Sequence, residues 1–326
     1  MPDKYRVVIA TYPFGKSGRK PLDLLEKTGW ELITNSYRRR LKGNEVADFI
    51  GDADAVIAGT EPYPEEILRN TRLKVISRVG IGLDNVPLKA CQELGIAVTY
   101  TPDAPSQAVA ELTMCNIIGL MRRIHMSDHS VREGTWNRYM GFLLEEMTIG
   151  IVGVGRIGKR VCKLLQPFGP RILACDLEPD IDFGKTYHLE WVGKKELFKN
   201  ADLVSLHIPI NENNYHYIDR KTIAMMKTDS YLINTSRGPV VDELALTDAL
   251  FQKHLAGAAL DVFEKEPYEG SLTHLDNVIL TAHIGASTRA SRYLMELGAA
   301  EDCIKVLKGE QPTHDAILDA LEEQVP

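Results

Sequence analysis

Three segments in the second half of the chain carry side chains suited to moving a proton beside a carboxylate. They are Asn234-Thr-Ser-Arg-Gly-Pro239, Leu260-Asp-Val-Phe-Glu-Lys-Glu-Pro267 and Thr281-Ala-His-Ile-Gly-Ala-Ser287. Each begins where a predicted strand ends, and doubly wound sheets bind ligands at that edge. Hydride reduction of a 2-oxo acid needs a cation for the carboxylate, an acid for the developing alkoxide, and a group that keeps the acid charged. Arg237 can grip a carboxylate bidentately and polarise the adjacent ketone. His283 titrates near neutrality and can deliver or take the proton. Glu266 can pair with the imidazolium and favour it. Taken singly, each has a bland alternative: a surface Arg, a structural His, a solvated loop Glu. Their order behind a nucleotide motif is what raises them to catalytic candidates. His207, in His207-Ile-Pro209, is a rival imidazole with no accompanying carboxylate, and reads as structural or as an edge of the cofactor site.

The nucleotide motif is Gly153-Val-Gly155-Arg-Ile-Gly158. An apolar strand, Thr148–Gly153, precedes it and an amphipathic helix, Lys159–Leu165, follows, which is the context the motif requires. Gly153 permits the turn, Gly155 lets backbone approach a pyrophosphate, and Gly158 lets helix meet strand. The helix N-terminus offers N–H donors to phosphate. Asp176 follows Gly158 at close to the spacing of about 20 residues for the acid that binds a ribose 2′-hydroxyl. No Lys or Arg stands in Leu177–Asp180 to receive a 2′-phosphate, so NAD is expected over NADP.

These residues must be held by strands alternating with helices. The first half offers strand-like runs at Arg6–Ala10, Glu31–Thr34, Ala55–Thr60, Lys74–Arg78 and Ala97–Tyr100. The second offers Thr148–Gly153, Arg171–Cys175, Leu203–Ile208, Tyr231–Thr235, Ala256–Val262 and Val278–Ala282. Helical patterns between them argue for βαβ units. The expected fold class is α/β with two doubly wound parallel sheets, a Rossmann-type NAD domain and a flavodoxin-like substrate domain. Pro102 and Pro105 interrupt any regular element there. A long helical pattern runs from Ser106 to near Ile124, and a helix over Ala290–Leu307 is expected to return to the first domain. The expected domains are 1–103 with 288–326 for substrate, and 104–287 for NAD.

Hydrophobic residues are 44% and charged residues 25% of 326, which fits a globular chain of about two domains and excludes a disordered or fibrous one. The net charge of -7 gives no global footprint for nucleic acid. No apolar run reaches membrane-span length, and the first residues resemble no secretory leader. Five cysteines without a C-x-x-C pair suggest reduced thiols and a cytoplasmic setting. No metal site is expected.

At these residues the chain resembles the D-2-hydroxyacid dehydrogenase family, closest to its D-3-phosphoglycerate dehydrogenase branch. Ser77-Arg-Val-Gly-Ile-Gly-Leu-Asp-Asn85, the glycine motif and the three later segments carry the likeness over nearly the whole chain. The resemblance implies NAD in an interdomain cleft, with Arg237, Glu266 and His283 as the catalytic residues. It implies cofactor contacts at Arg156, Ile157, Asp176, Pro209, Thr235 and Asp261, beside Gly153, Gly155 and Gly158. It also implies a homodimer, in a short form without the serine-binding regulatory domain.

For substrate, the resemblance points to Arg78, Val79 and Gly80, with Arg78 holding a second anionic group; the Arg38–Arg40 run is the alternative. That expectation favours 3-phosphoglycerate or a phosphono analogue such as phosphonopyruvate. Glyoxylate, hydroxypyruvate, lactate and phosphite chemistry stand as alternatives. So does an NAD-sensing binding protein of the corepressor kind. Two departures bear on the choice: Ala58-Gly-Thr-Glu61 lacks an Arg some members place there, and Asn214 stands where many have Thr.

Overall fold

A computed structural model describes residues 4–322. Residues 1–3 and 323–326, at the two ends of the expected substrate domain, lie outside the described residues. The chain divides into two compact units: Ser106–Gly285, and the segments up to Pro105 and from Ala286.

In the first unit five short strands form one parallel sheet. They are β1 (Arg6–Ile9), β2 (Glu31–Thr34), β3 (Ala55–Ala58), β4 (Val75–Arg78) and β5 (Ala97–Thr99), in the order β2-β1-β3-β4-β5. This is the flavodoxin-like order. Alternation of side chains sorts the apolar residues onto two faces. Val8, Val56, Ile76 and Val98 form one core with Leu41, Val46 and Tyr63. Val7, Ile9, Ile57 and Val75 form the other with Met295, Ala299, Cys303 and Leu307. The helix Arg289–Leu307 thus covers the second face. It carries a buried carboxylate, Glu296, which is not left alone. Arg292 Nε lies 2.6 Å from it and the Gly15 N–H donates to it at 2.8 Å.

The second unit is a seven-stranded parallel sheet. Its strands are β6 (Thr148–Val152), β7 (Arg171–Cys175), β8 (Leu189–Trp191), β9 (Leu203–Leu206), β10 (Ser230–Asn234), β11 (Leu255–Leu260) and β12 (Val278–Leu280). Their order is β12-β11-β10-β9-β6-β7-β8. The expected pair of doubly wound sheets is therefore present. β8 was not expected: three residues without a β-branched run give no signal of their own. The long helix also ends earlier than its apolar pattern suggests, at Met121. There the returning chain caps it, the Phe142 N–H donating to the Met121 carbonyl at 3.0 Å. Arg123 then turns left-handed (φ +50°) and a second helix, Ile124–Arg132, begins. That stop is set by a segment twenty residues away, which local pattern cannot see.

Candidate active site

The glycine turn lies between β6 and the helix Arg156–Leu165. Gly153 has φ +88°, and a Cβ there would lie 2.7 Å from the His207 carbonyl oxygen. A Cβ on Gly158 would lie 2.1 Å from the Gly153 carbonyl oxygen. Both glycines are required by close backbone approach. Gly155 differs, since a Cβ on it would meet nothing within 4 Å. Its backbone borders open space at the helix N-terminus, the place a pyrophosphate needs. Arg156 begins that helix, and Ile157 turns its side chain into the core.

Asp176 closes the turn from β7. Its Oδ2 accepts the Val154 N–H at 2.5 Å and its Oδ1 the Glu178 N–H at 3.1 Å. Each oxygen keeps a lone pair for a ribose hydroxyl. Lys159, on the neighbouring helix, is engaged by Asp180 at 2.6 Å. These residues fit an adenosine ribose without a 2′-phosphate. NADH is expected to give the higher kcat/KM, and Asp176→Ala to narrow its lead over NADPH. Equal turnover of the two cofactors by the unaltered protein would sink this assignment.

Arg237, Glu266 and His283 follow three adjacent strands, β10, β11 and β12. The Arg237 and Glu266 loops touch: a Cβ on Gly238 would lie 1.9 Å from the Phe263 carbonyl oxygen. Glu266 and His283 meet directly, with His283 Nδ1 at 2.9 Å from Oε2 and 3.1 Å from Oε1. His283 has φ +52°, a sparsely populated conformation for a side chain of this size. Asp261 holds it there. Its buried carboxylate accepts Thr281 Oγ1 (2.6 Å), the Ile284 N–H (2.8 Å) and the Gly285 N–H (2.7 Å). Sequence reasoning placed Asp261 only at the cofactor and missed this role, because nothing local marks a carboxylate that ties down the next strand's turn. Thr235 is buried and shares a hydrogen bond with Thr113 at 2.9 Å, and the exposed Pro209 accepts from Asn214 Nδ2 at 3.1 Å.

His207 sits apart from any carboxylate, its Nε2 3.0 Å from Ser205 Oγ. Burial pushes its imidazole down to about 4 from an ordinary 6.5. The fold therefore prefers the neutral ring, and the unfolded chain takes up the proton first. Stability should be complete above pH 6.5 and decline as pH falls toward 4. At about 1.4 kcal/mol per pH unit the loss is at most roughly 3.5 kcal/mol. His207→Gln should flatten that part of a denaturation-against-pH curve; an unaltered slope would count against the burial argument.

Arg78, Val79 and Gly80 lie in the other unit, at the end of β4. Val79 is buried in the core, and the Gly80 N–H donates to Thr101 Oγ1 at 2.9 Å. Arg78 is 4% exposed. Its Nε and Nη2 donate to the Gly82 carbonyl at 3.0 and 2.8 Å, and its Nη1 to the Ala58 (3.2 Å) and Gly59 carbonyls. Beside it, the buried Glu61 accepts the Gly59 N–H and the Tyr63 hydroxyl, each at 2.6 Å. Four of the five N–H donors of Arg78 thus face backbone carbonyls. In the Arg38–Arg40 run, Arg39 pairs with Glu45 at 2.6 Å. Arg38 instead helps line a cavity of about 410 Å³ with Lys16, Thr34, Asn35 and Phe14.

A glycine turn after β6 of a parallel sheet, with an acid–imidazole pair on the same carboxyl edge, defines a dinucleotide-dependent oxidoreductase. The chain belongs to the D-isomer specific 2-hydroxyacid dehydrogenases: residues 114–285 match that family's NAD binding domain. NAD is accordingly its cofactor. The chain is 39% identical to a D-3-phosphoglycerate dehydrogenase of Methanocaldococcus jannaschii, over 93% of its own length and 58% of that protein's. It is 38% identical to a glyoxylate reductase of Thermofilum pendens, over 79% and 87% of the two chains. Among solved structures, D-lactate dehydrogenase of Aquifex aeolicus complexed with NAD and lactic acid superposes with a TM-score of 0.86. The two are 26% identical, and the match covers 96% of this chain and 99% of that one.

Proposed function

We propose that the protein interconverts a small 2-oxo acid and its D-2-hydroxy acid, and that the substrate carries one anionic group. The Glu266–His283 pair is the observation that supports the reaction. Bound NAD(H) would supply or take the hydride. Arg237 would hold the substrate carboxylate and polarise the carbonyl. With Nδ1 facing Glu266, His283 offers Nε2 to the substrate oxygen and gives its proton as the hydroxyl forms. Substrates of the glyoxylate, hydroxypyruvate or lactate class fit, because Arg78 turns four of its five N–H donors to the Gly82, Ala58 and Gly59 carbonyls.

One observation favours a second reading. Lys16 and Arg38 border the cavity at the carboxyl ends of β1 and β2, and either could receive a phosphate or phosphonate. Turnover with NADH across glyoxylate, hydroxypyruvate, pyruvate, phosphonopyruvate and 3-phosphohydroxypyruvate separates the two. Preference for the last two by more than tenfold would overturn the monoanionic reading. No turnover of any would overturn the reaction.

A homodimer is also proposed. Trp136 and Met140 are 78% and 85% exposed, and Phe142 and Leu143 extend the same apolar segment. So much apolar surface on one segment favours a partner. Sedimentation should give twice the chain mass, and a Trp136→Ser, Met140→Ser double variant should give the monomer. A monomeric unaltered protein would end the idea. Five unbridged cysteines suit a cytoplasmic setting. No described helix is long and apolar enough to cross a membrane.

A further inference from the structure

Two residues before Glu266, a second carboxylate is tied down from both sides. The Glu243 N–H donates to Glu264 Oε1 at 3.1 Å, and the Glu264 N–H donates to Glu243 Oε1 at 2.5 Å. The exchange fastens the β11 loop to the first residue of the helix Glu243–Phe251. His216 Nε2 meets the same Glu264 Oε1 at 3.0 Å. The His216 backbone N–H donates to the Pro239 carbonyl at 2.8 Å, so the imidazole is anchored to the Arg237 loop. Its ring stacks on Tyr215, with centroids 4.1 Å apart. Glu264 is therefore the knot where the loops after β9, β10 and β11 are joined.

That knot lies two residues from Glu266. Glu266 Oε1 accepts the Phe263 N–H at 3.2 Å and also faces His283 Nδ1. The short run from 263 to 266 is thus pinned at 264 and folded back on itself at 263. Letting Glu264 go would remove one of the ties on the run that carries Glu266. The titratable groups around it are Glu243, Lys265, Glu266 and His216, while His283 faces Glu266 and follows the turn held by Asp261. Glu243 at the helix start and Glu264 and Glu266 in the β11 loop thus lie close together, with His216 hydrogen-bonded to Glu264.

We propose that Glu264, held by Glu243 and His216, is a positioning residue that sets the Glu266–His283 distance and couples it to the Arg237 loop. The proposal rests on His283 being the proton donor, as argued above. It concerns placement and not the charge of Glu264. Glu264→Gln keeps an oxygen for His216 and for the Glu243 N–H, whereas Glu264→Ala keeps neither.

The test combines two readouts on the full chain. One is kcat and KM for glyoxylate with NADH across pH. The other is the Nδ1 proton resonance of His283 by NMR, assigned with His283→Gln, which reports the hydrogen bond to Glu266 and needs no turnover. Glu264→Ala should lower kcat roughly ten- to hundredfold, the scale of an ångström's misplacement. KM for NADH should stay within about twofold, since the glycine turn is untouched. That resonance should move upfield or be lost as Glu266 moves away. Glu264→Gln should restore most of the rate and the resonance. His216→Ala, which removes one of the two holds, should fall between and covers the case in which Glu264→Ala does not fold. An unmoved His283 Nδ1 proton resonance in Glu264→Ala and His216→Ala would overturn the proposal, whatever happened to stability. Equal damage from Gln and Ala would also overturn it, by showing that charge is what counts. If the unaltered protein reduces no 2-oxo acid, the dehydrogenase reading fails, and the NMR arm still decides the positioning.

Discussion

His283→Ala is expected to lower kcat by roughly 10²–10⁴-fold, the usual contribution of a general acid. NADH affinity should change little, because the glycine turn and Asp176 follow other strands, β6 and β7. The backbone that carries the ring is fixed by Asp261 through Thr281, Ile284 and Gly285. The substitution should therefore delete the acid without moving the turn. Glu266→Gln tests the partner. An amide can still accept a hydrogen bond from Nδ1 but offers the imidazolium no charge. In the reducing direction the enzyme needs the protonated ring, so removing the facing carboxylate should lower kcat while the amide still orients Nδ1. Steady-state rates for the three proteins give the answer. A loss under tenfold in His283→Ala, or an unchanged kcat in Glu266→Gln, would remove the pair from the chemistry.

What the sequence made legible was local or repeated. The glycine turn, its helix and Asp176 lie in one βαβ unit, where spacing alone forces them together. Glu266 and His283 could be paired because each follows one of two consecutive parallel strands, so both leave the sheet at the same edge. What escaped were bonds to groups with no sequence signature. Arg78 reads as a cation, but its fate depends on carbonyls at Ala58 and Gly59, one strand away. The Glu264–His216 contact spans 48 residues and joins two loops with no periodicity. β8 is three residues long and gains its place by pairing with β7 from Ile172 to Ala174.

Arg78→Ala is expected to lower kcat/KM for glyoxylate and for phosphonopyruvate by the same factor. A free cation at the substrate would behave otherwise, hurting only the doubly charged acid, by about 10- to 150-fold for a bond of 1.5–3 kcal/mol. The geometry argues for the common factor. The guanidinium closes the Gly80–Gly82 turn through the Gly82 carbonyl and joins it to the end of β3 through Ala58 and Gly59. Truncation leaves those carbonyls without their donor. Losing hydrogen bonds from a buried charged group costs about 1.5–3 kcal/mol. The chemical denaturation midpoint should fall accordingly, and ligands of any charge should feel the loosened turn. Arg78→Lys retains the charge but reaches with a single ammonium in place of a planar fork, so it should recover only part of the stability. Were charge the point, Lys would instead recover phosphonopyruvate turnover. Four measurements, two substrates on Arg78→Ala and Arg78→Lys, thus separate a residue that shapes the turn from one that holds an anion. A selective loss of phosphonopyruvate rescued by Lys would return Arg78 to the substrate.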